Sequence, residues 1–534
     1  MNRKIGVILI IAIVVTLAIE QEARAAWLGT WAKRVKLSID NGDINAPLSD
    51  FPILVRLSSS SGINNEDVTA VFTEVGANDK KIAVTKSDGT TQCYVEIEKW
   101  NYVASPITSS EAWLWVKVSG TDSVSDSADT ELYLYYDGSQ SDNTTYVGDI
   151  ASTAAQNVWS SDYRSVYHLN HDAADENALD SLGAFDAEEY FAPDGNMDVA
   201  GIAGKGDYFD GDDYLGDNPH WGVGGAHTYS VWVKFSTLHD GTILEDGKLT
   251  YGHALVILAS GKIAYREEYN RANNYLDSIS SYDDGSWHYV CGGHTGSVQF
   301  LYIDGELDQQ QTQGDGNVDV SGARIGNTNG ENPGFGDKKS HPLQATLDEL
   351  RVSAINRSAA WIKASYESER DDLLNFGSEE ITISVVLRNA NDTDYYTTWA
   401  VGSKDVNNVT IMDTANCVLV KNDSTGAEDF SVSTTGTNWA FASAAGENQC
   451  VLMGLFNGNS APPEGNFSTT YDLIDGTTRW ATQSAGNGLY EGASDGDNVA
   501  ASSGEKLYIY LKTPSSVTQG DEETITVTIG CRGH

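Results

Sequence analysis

From Trp27 onward the chain alternates apolar and polar residues in short runs, among them "RVKLSI", "FPILVRL", "AWLWVKV", "ELYLYY", "YSVWVKF", "VQFLYI", "KLYIYLK" and "TITVTI", separated by Gly, Asn, Asp and Ser. A period of two sends alternate side chains to opposite faces, the pattern of strands in antiparallel sheets. Amphipathic helical spacing is nearly absent. The one helix expected lies in "SAAWIKASYES", where Ser358 can cap, Ile362 and Tyr366 lie four apart and Trp361 widens the apolar stripe. The fold class is therefore all-β.

At 534 residues the chain is too long for one ordinary domain. Two linkers divide it. The polar tract "DGSQSDNTTYVGD" closes an N-terminal β domain, residues 26–150, and the charged "ESERDDLLNFGSEE" closes a second block, residues 151–378. The remainder, residues 379–534, is richer in Thr, Ser, Asn and Gly and reads as a C-terminal β-sandwich.

Residues 1–25 read as a signal peptide, because Arg3 and Lys4 precede an apolar run from Ile5 to Ile19 and Ala23-Arg24-Ala25 offers a small-x-small cleavage site. The expectation is a secreted or cell-surface protein beginning near Ala26, with no membrane span in the mature chain. Lys plus Arg number 33 against 76 Asp plus Glu, a balance of −43 that repels phosphate backbones and argues against a nucleic-acid partner. The same acidity suits divalent cations. Cys93 and Cys291 stand alone in their regions, whereas Cys417, Cys450 and Cys531 share the last block, where one pair could close.

The second block carries, in order, "SVYHLN", "ALDSLGAFDAE", "GKGDYFDGDDYL", "YSVWVKF", "WHYVCG", "LYIDGEL", "ARIGN" and "ATLDELRVSAINRSAAWIKASY". On these motifs it resembles a bacterial laminin-G-like module of the concanavalin A-like lectin/glucanase type. The resemblance implies a central jelly-roll sandwich. It also implies a structural Ca²⁺ on the sheet edge, with Asp180 and Asp186 in "LDSLGAFD" and Asp348 in "LDELRV" at the matching positions. The first block, through "WAKRVKLSIDN", "LSDFPILVRL", "SDGTTQCYVEIEKWN", "AWLWVKV" and "LYLYYDG", resembles the bacterial extracellular domain-of-unknown-function family 2341, which brings no established activity.

Laminarinase-type relatives place their carboxylates as Glu-x-Asp-x-x-Glu on one strand, a pattern this chain lacks, and there is no His-Glu-x-x-His or Cys-x-x-Cys. Glu96 and Glu98 in "YVEIEKW" share one strand face, which reads as an exposed polar surface near Lys99. His168, His227 and His288 fall inside predicted strands and read as satisfied core or rim residues. Asp210-Gly211 in "YFDGDDYLG" reads as a hairpin turn.

Sugar recognition needs aromatic platforms with a few planar polar partners. Most tryptophans belong to core motifs, which leaves Trp221, Tyr269 and Tyr275 as loop aromatics. Arg266 and Arg271, in the same loop as the two tyrosines, are partners for carboxylate or hydroxyl groups. The leading expectation is a secreted, non-catalytic adhesion-type protein that binds glycan or an extracellular protein through its jelly roll. Two alternatives stand beside it: a structural subunit self-associating through the strand edges "VKLSI" and "TITVTIG", and a carbohydrate-active hydrolase or lyase.

Overall fold

The computed structural model describes residues 9–17, 27–170, 177–190, 198–216, 221–248, 251–269, 272–313, 322–328, 340–381, 385–396, 398–424, 426–435, 439–458, 460–481, 496–518 and 523–533. Its two compact units are residues 26–379, and residues 380–534 together with 1–25. Nearly all of the regular structure is strand, as the alternation predicts.

In the first unit, residues near the N-terminus build a sandwich of two antiparallel-rich sheets. One runs in the order Leu374–Ile381, Lys33–Ile39, Thr130–Tyr136, Ile82–Lys86, Gln92–Cys93, and the other Phe51–Leu57, Glu111–Val118, Val95–Asn101, Val147–Asp149. "VKLSI" thus lies between two neighbours, and the expectation of an edge there is corrected. The outer partner comes from beyond the jelly roll: the chain returns, and Leu374–Ile381 completes the first sandwich. Leu37, Val55, Leu114 and Leu134 fill the interior, and the same core continues into Trp159, Tyr163, Trp361 and Phe376. The two sequence blocks therefore share one hydrophobic core.

The jelly roll packs two eight-stranded sheets face to face. The first contains Lys205–Asp210, Gln344–Ser353, Ala226–Lys234, Trp287–Thr295, Val298–Ile303 and Glu306–Thr312 as successive neighbours, and the second Ala187–Tyr190, Tyr214–Gly216, Ala323–Ile325, Gly241–Lys248, Tyr251–Ile257, Ile263–Tyr269 and Ala272–Asp277. Val231, Leu255, Tyr265, Val290, Leu301 and Leu347 meet between them. The expected helix is present at Ala359–Glu369, with the Ser358 hydroxyl accepting from Trp361 N at 3.1 Å, a cap worth about 1 kcal/mol. Its face bearing Ile362 and Tyr366 packs with Trp232 and Tyr289 on the jelly roll.

The second unit is a sandwich of a six-stranded sheet, with Gly504–Lys512 between Val418–Asn422 and Gln449–Asn457, and a five-stranded sheet. In the latter, strand Leu9–Leu17 lies between Thr398–Lys404, antiparallel, and Glu523–Gly533, parallel. Residues Leu9–Leu17, within the N-terminal apolar run, form this strand, and "TITVTIG" is an interior strand rather than an edge. Cys417, Cys450 and Cys531 all lie in this unit's core, and no disulfide joins them, so the pair that could close there is not formed. Burial pushes the Cys93 and Cys531 thiols up to about 12, which makes them poor nucleophiles. Among the described residues no helix is long and apolar enough to cross a membrane.

Candidate functional site

The residues singled out by sequence scatter. Trp221 is 2% exposed and packs beside Tyr167 and Tyr229 in the jelly-roll core, so its reading as an exposed platform is corrected. Arg266 and Tyr269 lie on strand Ile263–Tyr269 and Tyr275 on Ala272–Asp277, a paired hairpin rather than a loop. Arg271 falls outside the described residues. Asp180 is buried and accepts from the backbone N–H groups of Val166, Leu182, Ala184 and Phe185 at 2.9–3.3 Å, while its own N–H donates to Asp186 Oδ1. Asp348 accepts from Ile202, Ala203 and Glu349 N–H groups at 2.7–3.0 Å. Each buried carboxylate is thus held by its own set of backbone amides, and the closely spaced groups able to share one ion, among the described residues, do not unite these three aspartates.

"YFDGDDYLG" is not a hairpin. Phe209 and Asp210 pair with Ala345 and Gln344 in the first jelly-roll sheet, whereas Leu215 pairs with Ile325 in the second. The turn carries the chain from one sheet to the other. Gly211 has φ 115, and Asp210 and Asp213 side chains bond turn amides at 3.3 Å. That corrects the hairpin reading while leaving the aspartates in a turning role.

The hairpin residues Arg266 and Tyr275 join a larger arrangement. On strands Tyr251–Ile257 and Ile263–Tyr269, Leu255, Ile257, Ile263 and Tyr265 point into the core between the sheets, while Ala254, Val256 and Ala264 cluster on the opposite face. Register carries that outer face sideways: Ala254 stands opposite Glu245 and Arg266, Glu245 opposite Arg324, and Arg266 opposite Tyr275. One row across the sheet therefore reads Arg324, Glu245, Ala254, Arg266, Tyr275. At one end the Arg324 guanidinium lies 4.5 Å over Tyr214, and at the other Arg266 lies 3.9 Å over Tyr275 and pairs with Asp277 at 2.6 Å. Glu245 and Ala254 are fully buried and Arg266 is 5% exposed, so the row opens to solvent only at its ends, Arg324 and Tyr275.

A second constellation lies where the first sandwich meets the jelly roll. Glu96 and Glu98 of strand Val95–Asn101 are 0% and 6% exposed, overturning the exposed-face reading. Their face is covered because the jelly roll packs on it, with Asn170 Nδ2 donating to the Glu98 carbonyl at 3.2 Å. His168 Nδ1 lies 2.8 Å from Glu349 Oε1 and 3.7 Å from Glu98 Oε2, and its Nε2 lies 3.4 Å from Glu96 Oε2. Indole N–H groups orient the carboxylates: Trp115 donates to Glu98 at 3.0 Å, Trp159 to Glu96 and Trp232 to Glu369, both at 2.5 Å. Arg351 bonds Glu349 at 2.6 Å, also bonds Glu369, and stacks 4.4 Å over Trp115.

These contacts set the protonation states. Burial penalises the His168 cation, yet Glu349, Glu96 and Glu98 outweigh it and hold the ring well above its usual value. Burial, then repulsion from Glu349, pushes Glu98 and Asp348 well up, and burial raises Glu369 to about 7. Burial also disfavours the Glu349 anion, but His168 and Arg351 pull it below its ordinary value. At this burial a polysaccharide chain has no access to the carboxylates. His227 differs from His168. His227 is buried between Gly225 O and Tyr265 Oη at 2.9 and 2.7 Å, and burial drives it down to about 3, so it is neutral.

Sequence reasoning named Glu96 and Glu98 but missed their partners Glu349, Arg351 and Glu369. The available signal was "LDELRVS", where charged residues interrupt an otherwise apolar strand.

A search of curated proteins gives no match. Among solved structures the chain is similar to domain 4 of AbnA, an extracellular arabinanase from Geobacillus stearothermophilus, in complex with arabinotriose (17% identity, 38% of this chain and 98% of that one, TM-score 0.30). It is also similar to the botulinum neurotoxin serotype D ligand-binding domain in complex with N-acetylneuraminic acid (16%, 52% and 75%, 0.30). A third similar structure is the sialidase CBM40 of Ruminococcus gnavus bound to α2,3-sialyllactose (14%, 30% and 95%, 0.25). Residues 209–363, the body of the jelly roll, match the family described as the concanavalin A-like lectin/glucanases superfamily.

Proposed function

We propose that the chain is a secreted or surface-exposed, non-catalytic protein whose jelly roll binds glycan. The observation that carries this reading is the match of residues 209–363 to a superfamily of lectins and glucanases. Of the row Arg324, Glu245, Ala254, Arg266, Tyr275 on the second sheet, only the two ends, Arg324 and Tyr275, are partly exposed, and these are the positions offered to a ligand. In this reading the partly exposed Arg324 guanidinium presents N–H donors to hydroxyl or carboxylate oxygens. The test is a glycan array with the full chain, repeated with Arg324→Ala. Retention of defined oligosaccharides, weakened about tenfold or more in the variant, as loss of a charge-assisted contact requires, supports the reading. No retention of the folded wild type by any glycan overturns it.

A structural role by strand addition is the second reading. It is favoured by strand Leu9–Leu17, which completes a sheet whose other members lie beyond residue 397. A chain shortened to begin at Ala26 that assembles into polymers supports it, and one that stays monomeric counts against it.

A further inference from the structure

We propose that Glu98, His168 and Glu349 form a buried site for one divalent transition-metal ion of the Zn²⁺ or Mn²⁺ class. Each of the three offers a ligand atom, and those atoms all lie within 4.8 Å of one another. Atoms so spaced can share one ion at bonds of about 2.0–2.3 Å after small side-chain rotations. The ligands come from three separate places: Glu98 from strand Val95–Asn101 of the first sandwich, His168 from the segment following strand Tyr163–Tyr167, and Glu349 from strand Gln344–Ser353.

The surroundings have the form of an outer ligand shell. Glu349 Oε2 is fixed by Arg351, which leaves Oε1 toward His168 Nδ1, and Glu98 Oε2, 3.7 Å from that nitrogen, is oriented by the Trp115 indole. Among the three ligands, Glu98 Oε1 is buried and has no hydrogen-bond partner, where a buried polar group is ordinarily satisfied. His168 Nδ1 faces both glutamates, while its Nε2 faces Glu96 on the other side of the ring. The backbone is also bent to the purpose. Glu349 has φ 51, and the pairing of its strand with Ala226–Lys234 shifts register between Ser230 and Trp232, a bulge that re-aims the glutamate.

The donor set selects the ion. An imidazole with carboxylates suits Zn²⁺ or Mn²⁺, whereas Ca²⁺ seeks six to eight oxygens. The site is a structural staple between the two sandwiches of residues 26–379, since its full burial leaves no open position for substrate.

The test uses the full chain, stripped with EDTA, dialysed, and titrated separately with Zn²⁺ and Mn²⁺, with bound metal counted by elemental analysis and stability followed by thermal unfolding. The expected result is one ion per chain, a higher Tm for the loaded protein, and affinity weakened about tenfold or more in Glu98→Gln. Glu98→Gln keeps the shape of the side chain, and circular dichroism confirms that it folds. Co²⁺ loading gives a second readout, a visible band that is lost in Glu349→Gln. A folded, stripped wild type that takes up neither ion overturns the proposal, as does binding unchanged in both variants.

Discussion

His288 is held between two carboxylates, with Nδ1 2.9 Å from Asp304 and Nε2 3.3 Å from Asp284. Burial penalises its cation, but the hydrogen bonds and charge of Asp304 and then Asp284 prevail and raise its pKa above the ordinary value. A raised folded-state pKa means that the stability is fully present below about pH 6.5 and is lost as pH climbs through the folded value. With Asp284 largely exposed, the contribution is about 0.5–1 kcal/mol. Urea unfolding of wild type and His288→Gln at pH 6 and pH 9 therefore gives a gap that narrows at the higher pH. Equal gaps would remove the ion pair from the account. Trp221 yields a different expectation at the same scale. As a buried core side chain, Trp221→Ala costs about 3–5 kcal/mol in chemical denaturation, while glycan retention by the fraction that stays folded is unchanged. The Trp221 sequence environment, "NPHWGVGG", looks like a loop, and nothing in a local stretch tells whether a distant sheet covers it. Glu96 and Glu98 were misplaced for the same reason. Their strand face is polar, and it is buried by a jelly roll that begins some sixty residues later.

Elements were far more legible than their partners. Period-two alternation located the strands, and the Ser358 cap with its apolar stripe located the helix, because both signals are local and short. Pairing is not local. Asp210-Gly211 and Asp304-Gly305 are the same dipeptide between apolar strands, yet only the second is a hairpin, with Ile303 opposite Glu306 and φ of 52 and 80 at its two central residues. Two positive φ values match the twist of a tight hairpin. The first has a single positive φ, at Gly211, and crosses between sheets. Gly305 is thus a position where a side chain is doubly resisted: its φ favours glycine, and a Cβ would stand 3.2 Å from Tyr366 Cδ1 on the helix. Gly305→Val is expected to cost about 1–3 kcal/mol in thermal or urea unfolding. The helix end facing it should exchange its amide hydrogens faster in the variant. A variant as stable as wild type would mean that the turn has room the geometry does not reveal.

Across the whole molecule, the sequence linker near residue 150 separates textures but not folding units. Strand Leu374–Ile381, beyond the jelly roll, pairs beside Lys33–Ile39, and the first sandwich receives further anchors from it: Asn64 Nδ2 donates to the Phe376 carbonyl at 2.7 Å, Phe376 N donates back to Asn64 Oδ1 at 3.1 Å, and Tyr136 Oη donates to Glu379. Phe376, Trp361 and Trp159 sit in the same core as Leu37 and Trp115. The junction carboxylates draw partners from both sandwiches. A fragment of residues 151–378 would uncover Trp159, Trp361 and the Glu349–Arg351–Glu369 network at once, exposing both apolar surface and charges whose burial depends on their partners. Residues 26–381 keep all of them. The expectation is that 26–381 unfolds in one calorimetric transition, with calorimetric and van't Hoff enthalpies equal, while 151–378 aggregates or binds a hydrophobic dye. Two separate transitions in 26–381 would show that the shared core does not couple the sandwiches. The junction would then be a contact between independent modules, and the constraint that keeps Glu96 and Glu98 out of water would have to come from the first sandwich alone.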